Sequence, residues 1–380
     1  MTFLGLTWDH PRGYDALAEA ARRVNAGRKT PLIDWVKQPL EGFESAPIAD
    51  LAAAHDLIVL DHPHIGEAVA EDCLTPLDEL FPAEQIEQWA NDSIGPSLAS
   101  YRWNGRTWAV PLDVATQVVA RRSDQISDAP QSWEEIEEIA KDRPVALSLG
   151  GPHAFLNLIS LCASTGFVAG GDALLPNEPA WAALDRLGRL ARAAPEGSSS
   201  HNPITLLEIM ARGDEIAMIP LIFGYVTYAR SGHAPWTLAF SDTPRAPGGF
   251  GGVLGGTGIG FSRHAKPTRE ILNHIIWLMS QTTQVGLFPD FGGQPSARAA
   301  WQNPKINAEW GNFYAATAST AETALLRPRF DGYISFQTAA SAQLRDAFAD
   351  AEDPETTLKA LRTLWRHARQ GARGLLDPKG

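Results

Sequence analysis

Two short runs place carboxylates and imidazoles side by side: Asp9-His10-Pro11, and Asp61-His62-Pro63 followed by His64. A carboxylate beside an imidazole can raise its basicity, so His10 with Asp61, or His62 with Asp9, is a candidate acid–base pair. The same groups could also hydrogen-bond a polar ligand without reacting, or hold a metal ion. His62 and His64 are two residues apart, which does not place them on one helix face, and no metal site is predicted. No G-x-S-x-G element is present to supply a nucleophile. Asp9 and Asp61 are equally good helix N-caps, each with a proline at an early helical position.

Each run follows an apolar stretch that reads as a strand, over residues 3–8 and 56–60, and precedes a segment of helical periodicity. A further strand is expected at residues 32–36. Strand–helix alternation of this kind predicts a parallel, doubly wound sheet, in which ligands lie beyond the carboxyl ends of the strands. With strands one and three adjacent, the two tips stand only ~5 Å apart. The helices that begin there add free N–H groups suited to an anionic or hydroxyl-rich ligand.

Residues 101–122 open with a hairpin turn at Asn104-Gly105 and continue as two extended runs separated by Pro111 and Asp113. A change of direction inside extended structure suits a crossing between two lobes. Further along, Ser132 and Glu135 form a capping box. A strand at 145–149 and a helix over 154–164 follow, then helices near 180–194 and 204–211. A short strand is expected at 215–219, ending at Pro220. Residues 244–260 contain eight glycines; 247–252 read as linker, whereas 253–261 read as a second crossing. A third crossing is expected at 288–296, and two helices, 335–350 and 354–370, close the chain. Arg329, Phe330, Asp331 and Tyr333 form a polar-aromatic loop that could contact a sugar ring or dock these helices.

With 380 residues the chain is too long for one core and predicts two lobes. A net charge of −12 excludes a basic nucleic-acid footprint, and no apolar run approaches a membrane span. No basic start or apolar run of signal-peptide length follows Met1. Either a leader has been removed or the protein works inside the cell. Cys73 and Cys162 have no partner at metal or redox spacing and are expected as free thiols.

The run TWAVPLDVATQVVARRSD resembles the hinge segment of extracellular solute-binding proteins of ABC importers, the maltose-binding cluster. DLIVLDHPHIGEAVAEDCLTPLDEL, PQSWEEIEEIAK, EIAMIPLIFGYVTYAR, GGVLGGTGIGFSR and GLFPDFGGQPSARAAW resemble further pieces of that family, in its order and over nearly the whole chain. The resemblance implies an α/β, two-lobe periplasmic-binding-protein-like fold of type II topology, each lobe a doubly wound, mostly parallel sheet with helices on both faces. The expected lobes are 1–112 plus 258–292 and 113–257 plus 293–380, with crossings near 111–116, 254–259 and 289–297. It implies a small polar ligand, a sugar, sugar acid or related carboxylate, captured between the lobes for ABC-type uptake without catalysis or cofactor. Importer membrane subunits are the implied partners of a monomer, at the cell surface or in the periplasm. Trp8, Asp9, His10, Asp61 and His62 are the candidate ligand-binding residues at the tips. Asp113, Gln117, Tyr225, Gly256, Thr257 and Gln294, on or beside the crossings, and Arg329 complete the set. An enzyme using the His and Asp pairs, and a cytosolic ligand sensor, are the alternatives.

Overall fold

The computed structural model describes residues 2–374; Met1 and residues 375–380, the outer ends of the expected lobes, lie outside it. The first lobe is built on β1 (Phe3–Trp8), α1 (Pro11–Asn25), β2 (Ile33–Gln38), α2 (Leu40–Ser45), α3 (Ile48–Ala54) and β3 (Leu57–Leu60). β1 pairs in parallel with both β2 and β3, so strands one and three are neighbours and both Asp-His-Pro tips emerge at one edge. A 3-10 turn at His62–His64 leads into α4 (Ile65–Ala70), β4 (Leu74–Thr75), α5 (Ala83–Asp92) and α6 (Ser97–Ser100). The hairpin β5 (Arg102–Trp103) and β6 (Arg106–Thr107) turns at Asn104-Gly105 as its sequence demands.

β7 (Val110–Arg121) is one unbroken strand rather than two runs separated by a kink. Its two halves serve different ladders. Residues 110–116 pair with the strand that returns later, and residues 117–121 pair with strands of the second lobe. The Pro111 region is absorbed by a register shift in β7 itself, where Leu112 is the extra residue opposite Thr257 and Gly258 of the returning strand.

The second lobe carries α7 (Trp133–Asp142), α8 (His153–Ser164), α9 (Asn177–Ala193), α10 (Pro203–Arg212), β8 (Met218–Phe223) and β9 (Ala239–Ser241). Ser132 caps α7 by accepting the Glu135 N–H. Every residue of α8 is buried, against α9 and a later helix, which is why the helix is mostly apolar on all sides. The strand expected at 145–149 is reduced to a parallel bridge between Val145 and Met218. β8 runs through Pro220 instead of ending there, because the β7 register slips opposite it and no N–H is demanded of the proline.

β10 (Leu254–Ser262) returns antiparallel to β7 and then to β3. Gly256 sits at φ +105°, with Asp113 O only 2.3 Å from where a Cβ would stand, so the crossing strands approach closer than any side chain permits. α11 (Arg269–Leu278), α12 (Gln281–Val285) and α13 (Leu287–Asp290) follow, and Gln294 to Ser296 then lie along β7. α14 (Arg298–Trp301), α15 (Pro304–Glu309) and α16 (Phe313–Glu322) pack beneath the crossing strands, and Leu325 bridges Val253. α17 (Tyr333–Ala349) and α18 (Pro354–Gly371) cover the second lobe. Among the described residues no helix is long and apolar enough to cross a membrane. Both cysteines are free thiols, and burial pushes each up to about 12.

Candidate functional site

At the first tip the cap is His10, not Asp9. His10 Nδ1 accepts the Arg12 N–H at 3.1 Å. Asp9 instead turns to solvent and pairs with Lys37 on the neighbouring β2 at 2.6 Å, its side chain 59% exposed. The His10 ring stacks on Trp8 (centroids 5.0 Å, 9°) and meets Tyr225 of the second lobe edge-on. Burial, with the adjacent Arg12, lowers His10 to about 3, so its imidazole is neutral at pH 7.

Arg12, in the first turn of α1, makes the longest reach. Its Nε donates to Asp113 Oδ2 at 2.9 Å and its Nη2 to Oδ1, while Nη1 donates weakly to Gly224 O in the second lobe. Its guanidinium lies 4.9 Å from the Tyr225 centroid. Burial opposes the charge, yet Asp113 holds the Arg12 pKa above its ordinary value.

The second tip is tied to the last helical segment. Asp61 accepts the His62 backbone N–H at 2.8 Å, caps the 3-10 turn, and takes the Arg327 guanidinium on its other oxygen. His62 Nδ1 lies 3.1 Å from Asp61 Oδ1, and its Nε2 accepts the Arg327 N–H at 3.4 Å. Burial and Arg327 lower His62 to about 4. Asp61 itself, which burial alone would raise, is held well below the usual carboxylate range by Arg327 and His62. Tyr101 stands edge-on to His62 and donates to Leu60 O at 3.1 Å. Its hydroxyl is pushed far up, first by burial and then by the carboxylates of Asp61 and Asp113.

The structure therefore brings Trp8, His10, Asp61, His62, Asp113 and Tyr225 to the seam between the lobes and leaves Asp9 outside it. Neither crosswise acid–base pair forms: Asp61 pairs with its own neighbour His62, and Asp9 with Lys37. Gln117 is spent inside the second lobe on Asn157 and Ser160. Gln294 is a clamp, donating to Val114 O and accepting the Val226 N–H. Arg329 points away from the tips, donating to Ala99 O and Ser100 O. Phe330 packs on Tyr333 and Trp365, and Asp331 pairs with Arg373, so both dock the C-terminal helices. Gly256 serves the close strand approach. Thr257, opposite Asp113 on β10, buries an Oγ1 with no partner.

Three further residues, His153, Gln337 and Arg327, were not singled out as ligand contacts by sequence. His153 at the start of α8 faces Glu44 of α2 at 3.6 Å and the Phe223 ring, with neither nitrogen hydrogen-bonded. Tyr333 and Gln337, one turn apart on α17, bury Oη and Oε1 without a partner, as Arg327 does its Nε. One turn further, Ser341 bonds the start of α8, donating to Pro152 O and accepting the Phe155 N–H. The polar stripe Tyr333, Gln337, Ser341 is a signal that helical periodicity could have flagged. Buried polar atoms are ordinarily satisfied, so these are hydrogen-bonding capacity that the protein itself does not use. Among the described residues no group of three or more His, Cys, Asp or Glu side chains is placed to hold a metal ion.

Residues 43–314 match the profile of the family described as bacterial extracellular solute-binding protein. The chain belongs to this family. As a solute-binding protein it also has many structural neighbours. Maltose-bound MalE3 of T. maritima superposes with a TM-score of 0.81 at 17% identity, over 96% of this chain and 99% of that one. A solute-binding protein of Agrobacterium radiobacter K84 in complex with ribitol gives 0.81 at 18%, over 97% and 98%. UgpB of Mycobacterium tuberculosis in complex with glycerophosphocholine gives 0.77 at 15%, over 97% and 98%. At these identities the likeness establishes the fold, which is that of the two-lobed binding proteins. No curated protein sequence matches significantly.

Proposed function

We propose that this solute-binding protein captures a small, neutral, polyhydroxylated ligand, a sugar or polyol, between its lobes and releases it unchanged to the membrane subunits of an ABC importer. It works as a monomer outside the cytoplasmic membrane. The lobes move about residues 111–116 and 254–259, with 289–297 laid along the first of these crossings and 323–327 beside the second. The observation that carries the reading is the set of buried, unpartnered polar atoms on His153, Thr257, Arg327, Tyr333 and Gln337 around the inter-lobe seam. Donors and acceptors are mixed there, as hydroxyl groups require.

Charge narrows the ligand class. Arg12 and Arg327 are each neutralised by a carboxylate, Asp113 and Asp61, and the imidazoles of His10 and His62 are neutral at pH 7. Among the described residues no uncompensated cation is left at the seam for a sugar acid, which favours a neutral ligand over the acids that the histidines first suggest. The structural neighbours' maltose and ribitol are of that class. Nor does catalysis have its parts, because Nε2 of His62 is already occupied by a backbone N–H.

The test is a thermal-shift screen of sugars and polyols, with sugar acids as the contrasting set. A ligand at 100 times its Kd should stabilise the protein by ~2.7 kcal/mol. The bound compound should be recovered intact, and Gln337→Leu, which removes an unpartnered acceptor, should weaken it by about 1–3 kcal/mol. Stabilisation by sugar acids alone would overturn the ligand class. Product formation that disappears in His62→Ala would overturn binding without catalysis.

A further inference from the structure

Outside the seam, a cavity of about 660 Å³ lies beside the hairpin β5–β6. Ile86 of α5 and Leu326 give it apolar walls, and four charged side chains complete it: Arg102, Arg329, Asp78 and Glu87. Arg329 is the unusual member. It is only 4% exposed, yet unlike Arg12 and Arg327 it has no carboxylate partner. Its Nη1 donates to Ala99 O at 2.8 Å and Ser100 O at 2.7 Å, its guanidinium lies 5.6 Å from the Trp103 centroid, and its buried Nε has no hydrogen-bond partner among the described residues. Burial without a counter-charge lowers it to about 10.

A guanidinium with Nη1 tied to carbonyls and Nε unused is set up to receive a carboxylate in the fork geometry that arginine favours. A plain anion does not match the remaining wall, because among the described residues exposed Glu87 has no partner and Asp78 engages only the Thr107 N–H. Two cations and two carboxylates around an apolar floor match a ligand carrying both charges.

We propose that this cavity binds a small zwitterion of the α-amino-acid class with an apolar side chain. Its carboxylate meets Arg329, its ammonium faces Glu87 and Asp78, and its side chain covers Ile86 and Leu326. The volume falls within the range of small-molecule sites. This site is separate from the inter-lobe seam and stands whatever the seam binds.

Isothermal titration of the full chain with L-leucine tests it, alongside 4-methylpentanoate, which lacks the ammonium, and 3-methylbutylamine, which lacks the carboxylate. Leucine should bind, and each single-charge analogue should bind at least about tenfold more weakly, the effect of one lost charged hydrogen bond. Arg329→Gln and Glu87→Gln should each weaken leucine about tenfold. Ala83→Phe, at the exposed start of α5, fills the cavity without touching these charges and should abolish leucine binding at an unchanged unfolding midpoint. This variant decides the matter if Arg329→Gln fails to fold. No heat with leucine, equal binding of either analogue, or wild-type binding by Ala83→Phe would each overturn the proposal.

Discussion

Replacing Asp113 by Ala should destabilise this protein far more than an ordinary charge deletion. Arg12 and Asp113 are each 4% exposed and meet edge to edge, with Nε donating at 2.9 Å and Nη2 donating to the second oxygen. Without the carboxylate the guanidinium keeps one long contact, to Gly224 O at 3.4 Å, and the faces of Trp8 and Tyr225. Breaking a buried pair by removing one partner costs about 3–5 kcal/mol, since a desolvated charge is left without a counter-charge. Arg12→Met should cost less, because the Gln294 N–H still donates to Asp113 Oδ2 at 3.2 Å. In the double variant Arg12→Met, Asp113→Ala no charge remains to be buried, and it should recover about 2–4 kcal/mol relative to the sum of the single changes. Urea unfolding of the wild type and three variants, followed by circular dichroism, yields all four free energies. Additivity within about 0.5 kcal/mol, or a cost below about 1 kcal/mol for Asp113→Ala, would refute the reasoning.

Three further outcomes are expected. His62 falls from an ordinary value near 6.5 to about 4 on folding, so the unfolded chain binds the extra proton first; its contribution is complete above pH 6.5 and is lost as pH drops towards 4. Asp61, depressed by Arg327, acts in the same direction at lower pH. Stability measured between pH 7 and 4 should therefore fall by about 3 kcal/mol on account of His62, and a His62→Gln variant whose profile stays as steep would contradict this. Gly66→Ala should cost at least about 1–3 kcal/mol by unfolding midpoint, because its Cβ would stand 1.7 Å from Arg329 O and displace the loop that carries Arg327; an unchanged midpoint is the contrary result. Cys162, buried and raised to about 12, should resist a disulfide-exchange reagent at pH 8 until the protein is unfolded, and rapid native labelling of that residue would count against it.

Much of the fold is written locally. The alternation of apolar strands with helical periodicity dictated the first lobe's parallel β2-β1-β3 ladder, because each element needs only its own residues to declare its type. The capping box at Ser132, the Asn104-Gly105 hairpin and the ends of α17 and α18 were legible for the same reason. So was the common edge of the two tips, since parallel strands put both Asp-His-Pro runs on one side of the sheet.

What those tips do was decided only by the folded chain. Asp9 and Asp61 have the same neighbours in sequence, yet one meets solvent and Lys37, and the other meets Arg327, 266 residues away. Arg12 finds Asp113 across 101 residues, and no periodicity encodes that meeting. Gln117 and Gln294 look like ligand contacts on a crossing, but the packing of α8 and β8 turns each into a backbone or side-chain clamp. A helix or strand is selected by contacts a few residues apart. The charge state and partners of a buried side chain are set by whichever distant segment the close-packed lobes bring against it, and here that segment is the 327–337 stretch at the far end of the chain.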